Sequence, residues 1–182
     1  MNNTVDKRKE FYQAAMYNGT LLGAVWSVMY LLLFIGTDNI ISMMLCMALF
    51  VSSPFIAANL AIKHRRKEWN NTMGYLQAWI FVFYMYVCAT LLSALVSYIY
   101  LTFIDGGAMF MTLQKILDES LKLAGTDALL AQQIEQTKNI IEQTTTGDFV
   151  WQLMSRNFFD ATIMPLIIAL FVKRKRSEQE SK

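Results

Sequence analysis

Arg156 and Asp160 are the residues whose types and spacing most invite chemistry. Four positions apart, they share one face of a helix, and they sit inside an apolar run from Phe149 to Val172 with Ser155 and Asn157 beside them. Ionisable groups at membrane depth are functional candidates and usually face a bundle interior. A guanidinium there can hold an anion while a carboxylate exchanges protons, as a small transporter or permeability protein would require. The same spacing also serves structure. The two charges can neutralise one another and fix their helix, or Arg156 can snorkel to the interface. Both roles, structural and transport, stay open at this point.

No other constellation offers a reaction. His64 is the only histidine; it lies among cations, with neither cysteine near it in sequence, and fits a lipid-facing cationic patch better than a catalytic base. The chain has no H-E-x-x-H, no G-x-S-x-G elbow and no glycine-rich phosphate loop before a helix. No catalytic residue, metal or cofactor is therefore expected, and the chain reads as non-enzymatic. Cys46 and Cys88 fall in apolar runs, where free cysteine behaves as a small packed hydrophobe.

The elements that must position Arg156 and Asp160 are long apolar helices. Of 182 residues, 55% are hydrophobic and 16% charged, against about 25% charged in soluble domains. Two prolines and eight glycines leave little to interrupt helices. We read one membrane domain, 1–182, with spans at about 17–36, 40–62, 75–104 and 149–172. The third carries no charged side chain from Tyr75 to Ile104. As a helix it would be about 45 Å long, beyond the roughly 30 Å hydrocarbon core, so it must tilt or project. Small residues recur every four positions at Gly19, Gly23 and Ser27, at Ser53, Ala57 and Ala61, and at Ala89, Ser93 and Ser97. Such stripes let helices approach closely. Pro54 interrupts the second span's hydrogen-bond ladder, where Ser52 or Ser53 can satisfy a freed carbonyl.

Charge sets the orientation. Twelve of the sixteen cations fall in three clusters: Lys7 to Lys9, Lys63 to Lys67, and Lys173 to Arg176 with Lys182. Each Lys or Arg costs roughly 2.5–3.5 kcal/mol at mid-membrane, and cationic loops stay cytoplasmic. Lys63, Arg65, Arg66 and Lys67 thus set the topology, and an even number of spans places both termini in the cytoplasm, the basic tail 173–182 included. No short apolar core with a cleavage site opens the chain, so the first run reads as a permanent span.

Residues 105–148 differ in kind. Seven acids face three lysines there. Phe110, Leu113, Leu117, Leu121 and Ala124 recur at helical spacing; Gly125 is a stop and Thr126 a cap for a second helix. In that helix Leu130, Ile134, Thr137 and Ile141 share one face, and Leu129, Gln133, Gln136 and Ile140 another. The fold class expected is all-α: a four-span transmembrane helical bundle with an extracytoplasmic helical hairpin between spans three and four.

This layout resembles the bacterial membrane family known as domain of unknown function 4199. Tyr75-Leu76-Gln77-Ala78 is similar to the Tyr-Gly-Gln-Ala that opens the family's third span, with Leu76 in place of the glycine. Tyr100-Leu101-Thr102-Phe103-Ile104-Asp105 is similar to the stretch that closes it, with Gly106 in place of a proline. The resemblance implies a multi-pass bacterial inner-membrane protein and carries over no functional residue. The function expected is that of a membrane scaffold or partner-binding protein acting through 105–148, the alternative being a small transporter using Arg156 and Asp160. Expected partners are the lipid bilayer and, through 105–148, another protein or a second copy; nucleic acid is not among them.

Overall fold

The computed structural model describes residues 2–36, 39–69, 71–125 and 127–174, with side chains from residue 8 onward. Asp38, Thr126 and the tail cations Lys175, Arg176 and Lys182 lie outside the described residues. Among the described residues six α-helices follow in order: α1 Asn2–Ile35, α2 Ile40–Glu68, α3 Tyr75–Ile99, α4 Ala108–Ala124, α5 Ala128–Gln143 and α6 Thr146–Val172. Four stretches, Arg8–Ile35, Ile40–Glu68, Tyr75–Ile104 and Thr146–Val172, are long and apolar enough to cross a membrane. No strand occurs among the described residues; Met73 and Arg174 form an isolated antiparallel bridge.

Three helices extend beyond the apolar runs that mark them in the sequence. Helix α1 begins well before Tyr17 and carries Phe11 and Tyr12. The cationic run Lys63 to Lys67 is not a loop but the last turns of α2. Cations near a helix C-terminus complement its dipole, so nothing local stops the helix until Trp69. Helix α6 starts at Thr146, where the Thr145 hydroxyl and Asp148 carboxylate make a reciprocal capping box.

Helix α3 is the middle of the bundle. It packs along α1 on one side and α6 on the other, while α2 flanks α1 and α6. Nine of its residues are buried, from Ala78 to Ser97. Gly19 and Gly23 allow the α1–α3 approach: a Cβ on Gly19 would stand 2.7 Å from the Met85 carbonyl oxygen, and one on Gly23 would stand 3.0 Å from Ala89 Cα. Ser27, Ser93 and Ser97 are buried in the same bundle. Trp26 packs edge-on to Tyr86, and Phe34 stacks on Tyr100.

Beyond Ile99, α3 widens into a π-turn, Tyr100–Ile104, closed by the Asp105 N–H donating to the Tyr100 carbonyl at 2.9 Å. Here Leu101 stays buried while Phe103 and Ile104 face outward. Gly106 and Gly107, both at positive φ, then lead the chain into α4. Pro54 leaves α2 unbroken; the Ser52 hydroxyl donates to the Leu49 carbonyl, not to the Phe50 carbonyl that the proline frees, and Ser53 turns to α1.

Candidate functional site

The buried polar groups inside the bundle are few and each is positioned by packing. Trp26 Nε1 donates to Ser53 Oγ at 2.6 Å, tying α1 to α2. The Tyr30 hydroxyl donates to Asn157 Oδ1 at 2.9 Å, tying α1 to α6. Asn157 belongs to the packed stripe Asn157, Ala161, Pro165 and Ala169 of α6. That stripe passes beside Arg156 and Asp160 rather than through them. Arg156 is exposed and Asp160 half-buried. The ion pairs among the described residues are Lys67–Glu68 and Lys138–Asp118, so Arg156 and Asp160 are not joined in one. No group of three metal-ligating side chains occurs among the described residues.

The cationic stretch of α2 divides by helical phase. Arg65 continues the stripe Ser53, Ala57 and Ala61 and is 5% exposed. Its Nη1 donates to the Val172 carbonyl at the end of α6, and its Nε to Asn71 Oδ1 at 3.2 Å. A cation here satisfies the last, otherwise orphaned, carbonyls of a helix. Two backbone hydrogen bonds between Met73 and Arg174, of 3.0 and 2.9 Å, close the same junction. Lys63, Arg66 and Lys67 remain exposed. His64 does not join an outward patch: its ring lies parallel to Phe81, centroids 4.5 Å apart. The free thiols Cys46 and Cys88 are half-buried.

These contacts bring the C-terminal ends of α2 and α6 and the N-terminal end of α3 together. A cavity between α1 and α2, bounded by Glu10 and Lys63, adds the N-terminal part of α1. Arg8, Lys9, the α2 cations, Lys173 and Arg174 therefore share one end of the bundle. The other end carries α4 and α5. Phe149, at the start of α6, packs edge-on against both Phe34 of α1 and Phe110 of α4.

Helices α4 and α5 pack on each other. Gly125, at φ 54°, ends α4, and Asp127 caps α5 by accepting from the Leu129 and Leu130 N–H groups at 3.1 Å. The Lys138 ammonium donates to Asp118 at 2.7 Å across the pair. That hydrogen bond, the Asp118 charge and nearby Glu142 and Glu135 hold the ammonium above its ordinary range. Phe110, Leu113, Leu117 and Leu121 are half-buried and Ala124 buried, as are Ile134 and Ile141 in part. The opposite surface is uncovered. Leu123 is 87% and Leu129 75% exposed, Ile140 and Met111 are likewise open, and α5 has no buried residue.

The family model described as "Protein of unknown function (DUF4199)" matches residues 17–174. The chain belongs to the DUF4199 family. The match runs from the start of the first apolar run to the Met73–Arg174 junction and spans α4 and α5. No curated protein and no solved structure matches the chain.

Proposed function

We propose that this DUF4199 protein is a non-enzymatic, multi-pass protein of the bacterial inner membrane that binds a partner protein through an extracytoplasmic α4–α5 hairpin. One observation carries the reading: α5 buries none of its residues and leaves Leu129 and Ile140 open on one face, while α4 leaves Leu123 and Met111 exposed. In an aqueous compartment, large apolar side chains gathered on an exposed helix face suit an interaction site. The orientation rests on charge. The cation-bearing end belongs in the cytoplasm, which puts the acidic α4–α5 pair outside and both termini inside.

The test is site-specific photo-crosslinking in living cells from exposed Gln132 of α5. The proposal expects a discrete adduct with one other protein, lost when Leu129 and Ile140 are both replaced by Ser. Adducts confined to lipid would instead show the pair lying on the membrane surface, and adducts to the chain itself would show self-association; either would overturn the partner reading.

A further inference from the structure

At the cation-bearing end, the cavity between α1 and α2 has a volume of ≈ 680 Å³. Its wall carries two cations and two anions, Lys63 and Lys67 against Glu10 and Glu68. Lys67 and Glu68 pair with each other at 3.5 Å along the rim. Lys63 on α2 and Glu10 on α1 both line the cavity yet form no ion pair among the described residues. Opposite charges on facing walls of one cavity are thus left apart, with space between them.

The charges are also layered. Phe11 packs edge-on against Trp69 at 5.9 Å, which sets Glu10 level with the end of α2. Lys63 and His64 lie four to five residues back along α2 from Glu68, about 6–7.5 Å deeper. Deeper still, Tyr17, Asn18 and Leu60 close the cavity, about 12 Å below Glu68. His64 Nε2 is buried without a hydrogen-bond partner among the described residues. From rim to floor the order is the Lys67–Glu68 pair with the Glu10 carboxylate, then the Lys63 ammonium and His64, then polar and apolar groups.

We propose that this cavity binds the headgroup of a zwitterionic aminophospholipid of the phosphoethanolamine type. The lipid's ammonium lies outermost and meets Glu10; its phosphate lies one turn deeper and meets Lys63, beside the His64 ring. The acyl chains leave past Tyr17 and Leu60 into the bilayer. Equal numbers of opposite charges favour a zwitterion over a net-anionic headgroup, whose extra charge would face Glu10 unpaired. A quaternary headgroup lacks the N–H donors that a carboxylate accepts. The proposal rests on the membrane embedding argued above, but not on which side the cations face.

The test is native mass spectrometry of the full chain released from nanodiscs holding equal phosphatidylethanolamine, phosphatidylglycerol and phosphatidylcholine. One phosphatidylethanolamine should be retained per chain, at least about tenfold over either competitor, as a charge-assisted hydrogen bond of about 1.5 kcal/mol implies. Glu10→Gln should erase the preference over phosphatidylcholine, and Lys63→Gln should reduce retention of both lipids. Both side chains are exposed, so an unchanged circular dichroism spectrum checks folding. Retention of phosphatidylglycerol in preference, equal retention of all three, or indifference to Glu10→Gln would overturn the site. A chain that enters nanodiscs but keeps no phosphatidylethanolamine fails this inference alone; one that never enters them fails the membrane reading as well.

Discussion

At the residue scale, helical phase decides which polar groups matter to the bundle. Arg65 stands four residues beyond Ala61 and so inherits the packed face of α2, where it holds the end of α6. Replacing it with Met keeps much of the volume but leaves the Val172 carbonyl without its donor. Hydrogen bonds to charged groups contribute about 1.5–3 kcal/mol. Arg65→Met should lower unfolding stability in mixed micelles by about that much, while Arg66→Met, at an exposed neighbour, should change it little. Gly19→Ala should also destabilise, by about 1–3 kcal/mol as in overpacked cores, because its Cβ would meet backbone rather than a movable side chain. An unchanged unfolding midpoint in Gly19→Ala would mean that α1 and α3 stand farther apart.

The stripe containing Arg65 was legible in the sequence as Ser53, Ala57 and Ala61; extending it by one step of four finds the residue. The stripe of α6 was equally available from Ala161, Pro165 and Ala169, and one step back gives Asn157. Charge draws attention to Arg156 and Asp160 because ionisable groups are rare at membrane depth, but charge says nothing of phase. The partners of Tyr30 and Trp26 lie on other helices, and a single sequence does not encode which helices meet. His64 shows the same limit: its neighbours in sequence are cations, its neighbour in space is Phe81.

At the scale of elements, apolar length and turn residues place most boundaries, because helices of this kind end where glycine or a capping side chain intervenes. Gly125 ends α4 at positive φ. The π-turn after Ile99 was not legible, since nothing in Tyr100 to Ile104 breaks helical periodicity; in the bundle its first residue, Tyr100, stacks on Phe34. The α4–α5 pair depends partly on Lys138 and Asp118. A lysine whose pKa is raised on folding contributes stability that is full below its unfolded value and lost as pH rises through the folded one. The pair should therefore separate at strongly alkaline pH, above the ordinary lysine range, and more readily in high salt. Spin-label distances between α4 and α5 would report it: wild type should open with rising pH, and Lys138→Met should show no such step. A step that persists in Lys138→Met would assign the opening to another group.

At the scale of the whole molecule, the helices gather Arg8, Lys9, Lys63, Arg66, Lys67, Lys173 and Arg174 at one end and the α4–α5 pair at the other. In the sequence these cations are three separate clusters, and only an even count of crossings brings them to one side. The central claim is that this polarity is the polarity of the membrane. Cysteine accessibility tests it directly, in a background with Cys46 and Cys88 replaced by Ala. An impermeant maleimide applied to cells whose inner membrane is intact should label Gln132→Cys and should reach Arg66→Cys only once that membrane is permeabilised. Labelling of Arg66→Cys with Gln132→Cys protected, or of both before permeabilisation, would contradict the account.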